Sequence, residues 1–315
     1  MSAMSESSLP SKTAEGEKRR CGFVAVIGPT NAGKSTLVNA LVGAKVAIVS
    51  HKVQTTRAPI RGIAMEGNSQ IVFIDTAGIF NPKRRLDRAM VDAAWGGLED
   101  ADGVLLVLDA AAGLSDDVAG IIERLKSVRM PKIAVLNKID RVEEKPKLLE
   151  LAKSLGDRLS PDRVFMVSAL EGQGVRDLRT YLADLVPEGP WHYAEDDVTD
   201  VPMRTQAAEM TRESIYRFLH QELPYTTTVE TTDWKDLKDG SARIEQTIYV
   251  ERDGQKKIVL GKGGETIKKI SSAARRAIEE MAGHRVHLFL FVKVRENWES
   301  DPERYREMGL PFPKS

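Results

Sequence analysis

Between residues 23 and about 186 the chain alternates short, continuously apolar runs with longer amphipathic stretches. The runs are FVAVI at 23–27, IVFID at 71–75, GVLLVLDA at 103–110, KIAVLN at 132–137 and RVFMVSA at 163–169. Strands buried on both faces read as unbroken apolar runs, and helix-length segments between them return the chain for the next parallel strand. The pattern therefore predicts an α/β fold: a mostly parallel sheet with helices on both faces. IRGIAME at 60–66 and QIVFID at 70–75 flank the turn-forming pair Gly67-Asn68, which predicts a hairpin and so one antiparallel edge strand.

After 186 the pattern changes. PEGPWHYAEDDVTDVP, with prolines at 187, 190 and 202 and an acidic run at 195–197, reads as a linker over 188–203. Beyond it the periodicity predicts a helix over 205–221, strands over 226–234 and 242–250, two helices, and a strand over 285–294, an α+β domain over 204–298. Asp301 followed by Pro302 predicts a capped helix inside a C-terminal tail at 299–315. The first domain is expected over 21–187, and residues 1–20, polar and without an apolar core, are read as a disordered tail.

Composition narrows the classes. Lys plus Arg equals Asp plus Glu at 46 each, so only local charge clustering can point to a partner. A single cysteine, Cys21, excludes a disulfide framework within the chain and fits a reducing compartment. His284 and His287 flank an apolar run with no Cys or carboxylate cluster, which argues against zinc. No apolar run approaches the ~18 residues that a membrane helix needs.

The chemistry starts at GPTNAGKST, Gly28, Pro29, Thr30, Asn31, Ala32, Gly33, Lys34, Ser35 and Thr36, directly after the first apolar run. Its glycines let backbone N–H groups line a concave phosphate site, Lys34 reaches terminal phosphates, and Ser35 offers a hydroxyl to Mg²⁺ at a helix N-terminus. Asp75-Thr76-Ala77-Gly78 ends the strand after the hairpin, which brings Asp75 to Mg²⁺ and the Gly78 N–H to the γ-phosphate. Asn137-Lys138-Ile139-Asp140 ends a further run. A guanine edge presents two donors that the Asp140 carboxylate can accept, whereas adenine cannot satisfy it. Asn137 and Lys138 support that loop, and Ser168-Ala169-Leu170 can offer backbone N–H to guanine O6. The rival reading, a nucleotide kinase or ATPase on the same phosphate loop, has no use for the 137–140 segment.

These four motifs, in this order over some 140 residues, resemble the translation-factor-like GTPases. The resemblance implies a switch threonine in Gln54-Thr55-Thr56-Arg57, assigned to Thr56 with Thr55 as the alternative. Ras-like enzymes carry a water-orienting Gln after this D-x-x-G motif, but here Ile79 stands in its place. Intrinsic hydrolysis is therefore expected to be slow, with Lys34, Thr56, Gly78 and Asn31 as the catalytic set. In related GTPases a phosphate-loop Asn helps hold K⁺, which makes Asn31 the candidate for that ion.

In the second domain Ile258 precedes Gly261-Lys262-Gly263-Gly264, a G-x-x-G loop between two helices. Such a loop in a KH domain clamps a single strand of about four nucleotides. Eight basic side chains stand against two acidic ones over 252–276, a local footprint for nucleic acid in a neutral chain. The candidate contacts are Ile258, Gly261, Lys262, Gly263, Gly264, Lys268, Lys269 and Arg275. The α-β-β-α-α-β order is the type II KH arrangement. A G domain, an acidic linker and a C-terminal KH domain together resemble the Era family of bacterial GTPases, carried by QTTR at 54–57, ELPY at 222–225, the GKGG frame and NWESDPERYREMGL at 297–310. The resemblance implies a cytoplasmic monomer that binds GTP or GDP and 16S ribosomal RNA near its 3′ end. It also implies a role in maturing the 30S subunit and peripheral contact with the inner membrane. The alternative is an RNA-binding checkpoint gated by nucleotide state, with turnover secondary.

Overall fold

The computed structural model describes residues 18–313 other than 53, 221, 222, 297, 299 and 300. Most of the proposed N-terminal tail, Glu222 of the 222–225 segment, and Asn297, Glu299 and Ser300 of the closing segment lie outside the described residues.

The first sheet has the order β2-β3-β1-β4-β5-β6, from β1 (Arg20–Ile27), β2 (Ile60–Glu66), β3 (Ser69–Asp75), β4 (Gly103–Asp109), β5 (Lys132–Asn137) and β6 (Arg163–Met166). Every neighbouring pair is parallel except β2 and β3, the expected hairpin. Alternation along β1 explains the layers. Val24 and Val26 face a core shared with Leu37 and Leu41 of α1 (Lys34–Val42) and Leu178 and Leu182 of the C-terminal helix α5 (Val175–Leu185). Ala25 and Ile27 face the other way, onto Trp95 of α2 (Arg85–Gly96), Ile121 of α3 (Asp116–Lys126) and Leu155 of α4 (Pro146–Leu159). Each such buried aliphatic side chain contributes about 1.5–3 kcal/mol, so the two-sided core is what holds the strand ends in register at the site.

The second sheet, β7 (Thr228–Asp236), β8 (Ala242–Val250) and β9 (Val286–Val294), has β8 at its centre, antiparallel to β7 and parallel to β9. With α6 (Met203–Phe218), α7 (Asp253–Leu260) and α8 (Glu265–Ala282) it gives the type II KH order. Of the boundaries that move from those expected, two have a visible cause. Helix α6 stops at Phe218 rather than 221, because Lys52 of the first domain donates to the Tyr216 and Leu219 carbonyls at its C-terminus. Strand β7 starts at Thr228 rather than 226, since Leu223–Thr226 forms a short 3₁₀ turn.

The linker and the closing segment are packed down. Ile63 N–H donates to Val198 O at 2.9 Å, Gly62 bridges Thr199, and Arg61 pairs with Asp200 at 2.8 Å, so the chain after α5 covers the edge strand β2. The segment read as a tail forms α9 (Pro302–Glu307), capped by Asp301 Oδ1 accepting from Glu303 N–H at 3.0 Å. It does not trail: Trp298, Tyr305 and Leu310 are buried against Ala77 and against Leu86, Ala89 and Met90 of α2.

Candidate functional site

A cavity of about 500 Å³ opens where β1, β4 and β5 end. Thr30, Asn31, Gly33, Lys34, Ser35, Thr36, Thr56, Thr76, Gly78, Asn137, Lys138, Asp140, Ala169 and Leu170 line it. The remaining nominated residues stand behind that wall. Gly28 and Pro29 turn their carbonyls to Lys34 Nζ at 3.2 and 2.9 Å, Ala32 and Ala77 enter the cores, Asp75 is wholly buried, and Ser168 backs Asp140.

Two glycines are there because nothing else fits. Gly28 has φ 153° and a Cβ on it would lie 2.1 Å from Val107 O; Gly33 has φ 89° and a Cβ would lie 2.4 Å from Asn137 Nδ2. Asn137 ties three motifs together, donating to Ala32 O at 2.9 Å and accepting from Ala169 N–H at 3.0 Å. Lys138 donates to Asp109 Oδ2 at 2.7 Å and to the Asn31 carbonyl. Ser168 Oγ donates to Asp140 Oδ1 at 2.6 Å, aiming a carboxylate at the end of the cavity where a base would lie.

At the other end Ser35 Oγ lies 2.7 Å from Asp75 Oδ2 and 2.9 Å from Thr56 Oγ1, and Thr56 Oγ1 is 3.4 Å from the same carboxylate oxygen. Thr55 turns its hydroxyl to Lys52 O instead, at 2.9 Å, so the geometry brings Thr56 to the pair. Asp75 Oδ1 is buried without a hydrogen-bond partner among the described residues. Two hydroxyls and a buried, part-satisfied carboxylate form an all-oxygen donor set suited to Mg²⁺. Burial pushes the Asp75 carboxyl up to about 6 against the Ser35 hydrogen bond and the Lys34 charge, and it lowers Lys34 to about 8.

The second domain is built into this wall. Thr55 O accepts from Arg212 Nη2 at 2.6 Å, Gln54 O from Tyr216 Oη at 3.0 Å, and Glu213 accepts from Val49 N–H at 2.9 Å. In return Arg57 Nη2 donates to Pro224 O and Tyr225 O at 3.3 and 3.1 Å, and its guanidinium lies 5.7 Å from the Trp298 ring. Sequence reasoning missed Arg212 and Tyr216. Their signal was Glu209, Arg212, Glu213 and Tyr216 at i, i+3, i+4 and i+7 on α6, a polar stripe on one face of a helix that needed a polar partner.

The glycine loop of the second domain is open to solvent. Gly261 has φ 73°, and Lys262, Gly263, Lys268 and Lys269 are exposed beside Ile258, itself 54% exposed. Two nominated cations are partly engaged at home: Lys269 pairs with Glu265 at 2.6 Å, and Arg275 with Glu279 at 3.0 Å. Glu279 also accepts from Val286 N–H at 3.0 Å, which makes Arg275 a support for the start of β9 as much as a contact.

The comparisons with known proteins agree with these two halves. A family of 50S ribosome-binding GTPases matches residues 23–138, and the KH domain family matches residues 222–299. The chain is similar to the GTPase Era of Rhizobium meliloti strain 1021, 63% identical over 295 residues that span 94% of each chain. It is also similar to that of Agrobacterium fabrum, 59% identical over 316 residues, covering 100% of this chain and 99% of the relative. Among solved structures, Era in complex with MgGDPNP and nucleotides 1506–1542 of 16S ribosomal RNA superposes with a TM-score of 0.88 at 35% identity, over 92% of this chain and 99% of that one. A point variant of Aquifex aeolicus Era bound to GDP and aluminium fluoride gives the same values.

Proposed function

The chain belongs to the Era family of GTPases, and from that premise we propose that GTP binding and hydrolysis control when its KH surface engages 16S ribosomal RNA near the 3′ end, during maturation of the 30S subunit. The observation that carries this reading is the contact of α6 with the switch: Arg212 and Tyr216 hold the carbonyls of Thr55 and Gln54, next to the Thr56 hydroxyl that meets Ser35 and Asp75. A change at Thr56 therefore reaches the second domain through one or two residues of backbone. Switch segments are ordered by the γ-phosphate and released on hydrolysis, so the α6 contacts would be made and broken with the nucleotide state. Asp75, Ser35 and Thr56 would hold Mg²⁺, which when bound draws charge from the phosphate oxygens. Asp140 selects guanine, Lys34 neutralises the terminal phosphates, and Gly78 N–H meets the γ-phosphate. Ile258, Lys262 and Lys268 flank the loop Gly261 to Gly264 that would clamp the RNA strand.

The test is RNA affinity with a non-hydrolysable GTP analogue, with GDP and without nucleotide. The reading requires tighter binding with the GTP analogue, and equal affinities in all three states would refute it. A second reading, a checkpoint in which occupancy matters more than turnover, is favoured by Ile79, whose side chain is buried with Ala25 and Trp95 and cannot orient water. Whether RNA accelerates hydrolysis separates the two. Asn31 stands in the left-handed region at φ 59°, lines the cavity and gives its carbonyl to Lys138, which leaves its amide for K⁺. Equal hydrolysis in Na⁺ and K⁺ would remove that role. The protein is taken to act as a monomer in the cytoplasm. No helix among the described residues is long and apolar enough to cross a membrane, and the membrane contact in this reading is a peripheral one, taken from the family resemblance.

A further inference from the structure

The reading of a GTP-hydrolysing site leaves one task without a side chain, the positioning of the attacking water. Ile79 donates its N–H to Gly28 O at 3.0 Å, and this bond turns its side chain into the core beside Ala25, Ile27 and Trp95. The same bond locks the 75–78 loop against the phosphate loop and fixes what faces Gly78. A Cβ placed on Gly78 would lie 2.7 Å from Thr30 Cα and 2.8 Å from Thr30 Cγ2. Thr30 is therefore the side chain packed against the glycine whose N–H is assigned to the γ-phosphate, with its methyl branch on Gly78 and its hydroxyl on the other branch.

The hydroxyls of the cavity wall can be taken in turn. Ser35 and Thr56 are engaged with Asp75, Ser50 accepts from Lys52 N–H, Thr55 donates to Lys52 O, and Thr76 donates to Val26 O. Thr30 and Thr36 alone make no hydrogen bond to the protein among the described residues. Thr36 lies within α1, past Ser35, and the three atoms nearest a Cβ on Gly78 all belong to Thr30. A half-buried hydroxyl in a polar cavity needs a partner, and Thr30 has none among the described residues.

Resting on the GTPase reading, we infer that Thr30 Oγ1 holds the attacking water, in the place that Ile79 vacates. The hydroxyl accepts one hydrogen bond from the water and directs its lone pair at the γ-phosphorus. The water oxygen forms a bond to phosphorus while the bond from phosphorus to the β–γ bridging oxygen breaks, its electron pair leaving on GDP. The proton lost by the water passes to the released phosphate, and Thr30 ends as it began. Orientation rather than proton abstraction is the effect, which fits a group with no accessible titration.

The test compares Thr30→Val, which keeps the shape and removes the hydroxyl, with Thr30→Ser, which keeps the hydroxyl. Thr30→Val should slow single-turnover hydrolysis by up to about a hundredfold, the scale of a reacting group misplaced by about an ångström. GTP and GDP affinities should stay within about twofold while the affinity for GDP with aluminium fluoride falls, as for an interaction realised in the transition state. Thr30→Ser should retain most of the wild-type rate. A wild-type rate in Thr30→Val overturns the inference, and so does an equal loss in both variants, which would make Thr30 a packing residue. A wild-type protein that hydrolyses no GTP would overturn the underlying reading instead.

Discussion

Two glycine loops in this molecule precede helices and carry lysine, and their surroundings are opposite. The loop at 28–36 is locked from three sides, by Val107 O against Gly28, by the Asn137 amide against Gly33 and by Ile79 N–H on the Gly28 carbonyl. The loop at 261–264 touches little beyond its own helices: a Cβ on Gly261 would meet Thr266, and one on Gly263 would meet nothing within 4 Å. Both precede a helix N-terminus, whose free N–H groups suit a phosphate. In the proposed reading the first is a closed mould whose walls would inspect one small molecule from base to terminal phosphate. In the same reading the second is an open rail that a chain of phosphates would cross, with identity left to the bases.

The widest gap between the loops should appear at Asp140. Asp140→Asn exchanges one of the two acceptor oxygens for an NH₂ donor and removes the charge, and should weaken GTP binding about 10²-fold, the scale of losing charge-assisted bonds, while xanthine nucleotides gain. Titration with both nucleotides checks this, and unchanged preference would mean that the closed mould does not read the base. Next in size is Arg212→Ala at the junction. It frees the Thr55 carbonyl and should reduce the RNA-affinity difference between GTP-analogue and GDP states by about tenfold, the usual range of coupling energies. Nucleotide affinity measured in parallel distinguishes uncoupling from a damaged site.

A smaller effect belongs to the open loop. Lys262→Ala should weaken RNA binding by a few-fold and reduce the slope of log affinity against log salt by roughly 0.7, the value for one phosphate on a single strand. Nucleotide hydrolysis without RNA should not change, since Lys262 lies outside the cavity. A last prediction is read as stability and not as affinity, a pH effect on the protein without nucleotide or Mg²⁺. The Asp75 carboxyl is raised from 3.8 to about 6 in the fold, so its folded state holds the proton more tightly than the unfolded chain. Its contribution to stability is fully present below the unfolded value and is lost as pH rises through about 6. Denaturation midpoints from pH 4 to 7 should show this decline in wild type and lose it in Asp75→Asn.

Much of the closed mould was legible in sequence because its parts are local. Gly33, Lys34 and Ser35 are consecutive, and Asp75 and Asn137 each close an apolar run, so the sheet itself brings them together. The hairpin and the type II order of the second sheet were legible for the same reason, each being a pattern within tens of residues. What was illegible depends on long-range packing. Nothing local marks Trp298 and Tyr305 as buried against α2, because an aromatic residue in a polar stretch reads the same whether it is exposed or docked. The Thr55 carbonyl has no side-chain signature at all, so the polar stripe that holds Arg212 could be read on α6 but not the backbone partner that it takes.

The bonded linker has a mechanical meaning. Of the stretch between α5 and α6, the described chain is fastened to the sheet as far as the Arg61–Asp200 pair, and only Val201 and Pro202 remain before α6 begins at Met203. Two residues reach at most about 7 Å, so they make a hinge and not a leash. The KH unit is consequently never dilute with respect to the switch. In the proposed cycle, release of its grip on Thr55 and Gln54 would leave it tethered at that short pivot, so that each return would be to the same face.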